Sequence, residues 1–137
     1  MLSETPTALQ LISVALAAVS WIFLGRRYGD LPERIPIHFG LKGTADNWGR
    51  KAWLWMCPVL SLVFAAGVIG VIRLGHSSAG PAPPVTQYML LALQAMMLSL
   101  EVGWVRIAAG ERSNIWPYLA PFLLVIPAVS IVASRLA

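Results

Sequence analysis

The segment YGDLPERIPIHFGLKGTADNWGRK, residues 28–51, is the part of this chain that departs from generic apolar helix, and its reading decides how the rest is arranged. Pro32 and Pro36 fix their own φ and bias Leu31 and Ile35 toward extended backbone, which argues against a helix here. Ile35, Ile37 and Phe39 alternate with Arg34, Pro36 and His38, the period of two expected of an extended segment with one face on an apolar support. Gly40 and Gly43 permit a reversal, and Asp46-Asn47 followed by Gly49 is turn chemistry. The segment predicts an ordered Pro/Gly-rich cap with Ile35, Ile37 or Phe39 buried, not a slack linker.

Around this cap the composition is that of a membrane protein. Of 137 residues 58% are hydrophobic and only 12% charged, with a mean hydropathy of +0.71. Ten Lys and Arg against six acids give a basic chain. Those charges sit beside apolar stretches, so they are expected to meet lipid headgroups and not nucleic acid. One cysteine, Cys57, excludes an internal disulfide.

The expected fold is a single all-α domain, residues 1–137, with four transmembrane helices at about 6–24, 52–72, 86–109 and 115–134 and the ordered loop 28–51 between the first two. Thr5 is a candidate cap for the first span, and Glu4 without a basic residue beside it speaks against a cleaved signal peptide. In that span Gln10, Ser13, Ala17 and Ser20 make one small, weakly polar packing stripe. The second span starts with Trp53 and Trp55, suited to the headgroup level. Pro58 should bend it, and Ala66 and Gly70 are spaced for close helix contact. The Gly-, Ser- and Pro-rich run after Arg73 reads as a loop, with His76 a solvated side chain in it.

In the third span Gln87, Gln94 and Glu101 are spaced by sevens and share one face, an intramembrane polar face beside a ridge of Ala95, Ser99 and Gly103. The fourth span, capped by Ser113 or Asn114, holds Pro117, Pro121 and Pro127 and is expected to be bent. Eight basic residues fall on the side of the cap and two, Arg73 and Arg135, on the other. The positive-inside rule thus puts the cap in the cytoplasm.

The cap residues Leu31, Pro32, Ile35, Pro36, His38, Phe39, Gly43, Asp46, Gly49 and Lys51 resemble the signature loop of the SdpI-like family of bacterial membrane and immunity proteins. The resemblance covers about a third of the chain. It implies a multi-pass protein of the bacterial inner membrane whose signature loop binds a peptide or regulator, and for the orientation it implies a loop facing outward.

Enzyme chemistry has no footing in the sequence: nucleophile elbow, triad spacing, phosphate loop and dinucleotide fingerprint are all missing, and no catalytic residue is expected. His38 with Asp30, Glu33 and Asp46 lacks the spacing of a metal site, so neither metal nor other cofactor is expected, and His38 and Asp46 are read as bonding loop backbone. Glu101, the carboxylate inside a span, is read as paired with an arginine from the loop or as a hydrogen-bond donor to another helix, not as a proton carrier. Two functions fit. One is protein or peptide binding at the signature loop, of the immunity or signalling type. The alternative is an accessory subunit of a larger membrane complex, respiratory or photosynthetic, whose helices pack on partner subunits.

Overall fold

The computed structural model describes residues 8–74 and 84–136. Thr5, the start of the first span, His76 and most of its loop lie outside them. The described chain is mostly helical: α1 (Ala8–Arg27), α2 (Met56–Leu74), α3 (Pro84–Ala108) and α4 (Trp116–Leu136). Three helical stretches are long and apolar enough to cross a membrane, Ala8–Asp30, Lys51–Gly70 and Thr86–Ala108, whereas the apolar part of α4, Trp116–Val132, is shorter. These lengths and compositions are those of a membrane protein.

Between α1 and α2 the backbone forms an antiparallel pair, β1 (Arg34–Phe39) and β2 (Ala45–Arg50), so the all-α expectation needs correction by one small sheet. Arg34 lies opposite Arg50, Ile35 opposite Gly49 and Phe39 opposite Ala45, with the register shifting around His38. The reversal falls at Gly40 to Thr44, where Gly40 N–H donates to Thr44 O at 2.9 Å and Gly43 N–H to Gly40 O at 2.8 Å. Asp46, Asn47 and Gly49, read from sequence as turn residues, are strand residues. Their side chains favour turns, but a segment at a membrane surface must bond its backbone, and β1 supplies the partners.

α3 is the central element. It packs on α1, α2 and α4, while α4 packs principally on α3. The buried face of α1 is Ser13, Ala17, Ser20 and Leu24, the small stripe extended by one leucine. α2 differs from its sequence reading. Ala66 is exposed and none of the described residues comes close to Gly70, whereas Ser61, Ala65 and Val68 are buried and Gly67 faces Leu90. A short 3-10 stretch, Lys51–Trp55, precedes it, so Pro58 sits in the first turn of α2 rather than the second. There its missing N–H costs no helical bond and no kink is required. Asn114 is the cap of α4: its Oδ1 accepts from Trp116 N–H at 2.8 Å.

The hairpin seats on the helix ends through Leu31 and Ile35, buried in one cluster with Leu24, Leu54, Cys57, Trp104 and Val105, while Ile37 and Phe39 pack half-buried against it. The Trp104 indole N–H also donates to Pro36 O, pinning the middle of β1 to α3.

Candidate functional site

Two groups of residues carry the polar chemistry, one inside the helices and one on the cap. Inside, α1 and α3 run in the same direction, as the first and third helices of an up-down-up chain must. A seven-residue step on one therefore matches a seven-residue step on the other. Ser13 Oγ donates to Gln94 Oε1 at 2.6 Å, and Gln94 Nε2 donates back to Ser13 O at 2.7 Å. The same amide reaches Ser61 O and Oγ on α2, each at 3.2 Å. One turn-pair further on, Ser20 Oγ donates to Glu101 Oε2. Gln87, one step earlier on the same face, is half-buried.

Gln94 and Glu101 are fully buried. No arginine reaches Glu101, contrary to one sequence expectation; its partner is the Ser20 hydroxyl, and its Oε1 is buried without a donor among the described residues. Arg27 and Arg106 instead bind Glu111 at the surface, at 2.5 and 3.2 Å. The ridge beside this face serves a different neighbour. Ser99 Oγ donates to Tyr118 O at 2.9 Å and Gly103 lies under the Tyr118 ring, so Ala95, Ser99 and Gly103 lie on the side of α3 that receives α4.

Glu111 was not legible as a site residue, since only the fold brings it between two arginines 84 and five positions away. The hydrogen bond from Arg27, with help from Arg106, holds its carboxyl below the usual range. The group is exposed, so salt should weaken the effect. A depressed folded pKa contributes stability that is present above the unfolded value, about 4.3, and lost as pH falls through the folded one. Thermal melts in detergent from neutral to acid pH should show this: Glu111→Gln should lower the melting temperature slightly at neutral pH and flatten its decline below about pH 5. An unchanged acid limb would mean that the fork does not hold the helix ends together.

On the cap, the signature residues divide by exposure. Leu31, Ile35, Pro36 and Gly43 are buried, and Phe39, Gly49 and Lys51 are partly buried. Gly49 is the close approach of Ile37, and Lys51 bonds Leu31 O at 3.3 Å and Glu33 at 3.1 Å. Pro32, His38 and Asp46 face out. His38 Nδ1 and Asp46 Oδ1 are 2.6 Å apart, so these two bond each other and not the loop backbone as expected. Among the described residues no three His, Cys, Asp or Glu side chains converge as a metal site would require.

The least expected feature is Leu41. Its side chain is 95% exposed, yet its turn is tied to the start of α4 at three successive carbonyls. Trp116 Nε1 donates to Leu41 O, Asn114 Nδ2 to Lys42 O and Ile115 N–H to Gly43 O, each at 2.9 Å. Beside it lies an open recess of about 380 Å³ lined in part by His38, Phe39, Leu100 and Leu119. An apolar residue between two turn glycines is the only trace of this in the sequence.

Residues 15–62 match the family described as a domain of unknown function, DUF1648. An uncharacterized protein of Archaeoglobus fulgidus is 26% identical over 125 residues, which cover 90% of this chain and 63% of that protein. The chain thus spans less than two thirds of that relative's length. No solved structure matches it.

Proposed function

We propose that this chain is a non-catalytic, four-span protein of the cytoplasmic membrane, of the SdpI-like kind, that acts by binding a protein or peptide at its hairpin cap. The observation that carries this reading is Leu41, a large apolar side chain held exposed on a turn whose backbone is bonded at three points. A flexible loop would fold such a side chain away. A fixed one offers an anchor that, once buried by a partner, contributes about 1.5–3 kcal/mol with little ordering cost. The adjoining recess, with the His38–Asp46 pair at its rim, gives room for a partner side chain. The signature residues all lie inside the matched segment, and the buried ones serve to hold this surface in place.

An accessory subunit would keep a polar or small-residue face for its neighbour. Gln94, Glu101 and Gly103 all face helices of this same chain, which favours a self-contained module.

A photo-crosslinking amino acid in place of Leu41, in the full chain in cells, should give a discrete protein or peptide adduct that His38→Ala with Asp46→Ala diminishes. The compartment of the captured partner reads the orientation, cytoplasmic by the charge asymmetry. Adducts with lipid alone would sink the proposal.

A further inference from the structure

A second surface of the cap is built differently. Arg34 and Arg50 stand directly opposite each other on β1 and β2. Side chains so placed have Cβ atoms about 4.5–5.5 Å apart, and like charges there repel. Among the described residues neither arginine has an ion-pair partner to offset this. Arg34 donates to Trp48 O at 3.2 Å, which orients it without neutralising it.

Both arginines line an open recess of about 590 Å³ between the hairpin and the ends of α1 and α2, together with Lys51, Tyr28 and Ala52. The Lys51 side chain is only 14% exposed and is fixed over the Tyr28 ring, 4.8 Å from its centre. Glu33, the single acid at the recess, is bonded to Lys51 and 88% exposed. Three cations thus face one largely solvated carboxylate. Two arginine forks, one of them oriented by Trp48 O, and an ammonium fixed over Tyr28 match the oxygens of a phosphate.

The depth of the recess identifies the source of that phosphate. One apolar span ends at Asp30 and the next begins at Lys51, so the recess opens where two spans leave the hydrocarbon. Trp55, in tilted ring contact with Trp21 and Tyr28 at 5.5 and 5.3 Å, and the exposed Trp53 lie at the same level, where indoles favour the headgroups. From Ala52 at the recess an exposed stripe of Met56, Val59 and Val63 descends one side of α2 at helical spacing. An acyl chain attached to a phosphate in the recess would lie along it.

We propose that this recess is a binding site for an anionic phospholipid, with its phosphate gripped by Arg34, Arg50 and Lys51. The site is independent of the Leu41 surface. Neutralising the opposed arginines is the stabilising contribution that the lipid makes to the hairpin.

Native mass spectrometry of the full chain in mild detergent tests this, with phosphatidylglycerol and phosphatidylcholine of equal chain length as probes. Phosphatidylglycerol should be retained roughly tenfold over phosphatidylcholine, and R34Q/R50Q should remove that preference. R26Q/R112Q, which deletes two exposed charges elsewhere on the same side, should keep it. R34K/R50K keeps the charge and loses the forks, and should fall between. R34Q/R50Q should melt no lower than the native chain without anionic lipid, and should lose the thermal shift that phosphatidylglycerol gives the native chain. Equal losses in R26Q/R112Q and R34Q/R50Q would overturn the proposal in favour of diffuse surface charge. Displacement of the lipid by inorganic phosphate at equal concentration would overturn it in favour of a soluble anion.

Discussion

Gly43→Val should lower the melting temperature of the detergent-solubilised chain by about 10 °C and free the hairpin tip from α4. Two costs combine. Gly43 has φ of +78°, which a β-branched residue adopts only with strain of about 1–2 kcal/mol. A Cβ there would also lie 2.3 Å from Asn114 Oδ1 and from Trp116 Cδ1. Those atoms are not free to move, because Asn114 caps α4 and bonds Lys42 O while the Trp116 indole bonds Leu41 O. Overpacking of this kind costs about 1–3 kcal/mol more. Amide exchange should quicken at Gly43, whose N–H closes the turn, and at Ile115, whose N–H is bonded to Gly43 O. Gly43→Ala should show a smaller loss, partly relieved by Asn114→Ala. Unchanged melting and exchange in Gly43→Val would mean that the turn is not docked, and the case for Leu41 as a fixed anchor would fail with it.

Gly103→Leu should be comparably damaging, by detaching α4 from α3. The added Cβ would sit 2.4 Å from Tyr118 Cγ and 3.0 Å from its Cβ. That is the root of the side chain, which cannot swing aside without moving the backbone of α4. α4 packs principally on α3, and its bonds to the hairpin tip hold only its first turn, so the Ser99 bond to Tyr118 O is lost in the same movement. The expected readout is proteolysis within α4, with α1 to α3 remaining protected. Tyr118→Ala should restore protection in a Gly103→Ala background. If Gly103→Leu instead left α4 protected but stripped a co-purifying subunit from the native complex, the ridge would face a partner and the accessory-subunit reading would regain its support.

The sequence by itself determined what its local patterns could carry. Apolar length marked all four helices, three of which are long and apolar enough to cross a membrane; the period of two set β1 with Ile35 inward, and the serine and alanine stripe set the inner face of α1. The seven-residue spacing also put Gln94 and Glu101 on one face of α3. Tertiary structure decided which neighbour each face meets. The polar face and the Ala95–Gly103 ridge are adjacent on one helix, and helical periodicity is the same whichever helix lies across from it. Only packing, with Ser13, Ser20 and Ser61 on one side and Tyr118 on the other, assigns them. β2 was hidden for a related reason: Asp46, Asn47 and Gly49 favour turns locally, and the pairing with β1 that overrides this preference joins residues 6 to 16 positions apart. The opposition of Arg34 and Arg50 follows from that register alone. No local pattern in either strand encodes it, because register is a relation between two strands and is fixed by which of their faces is buried.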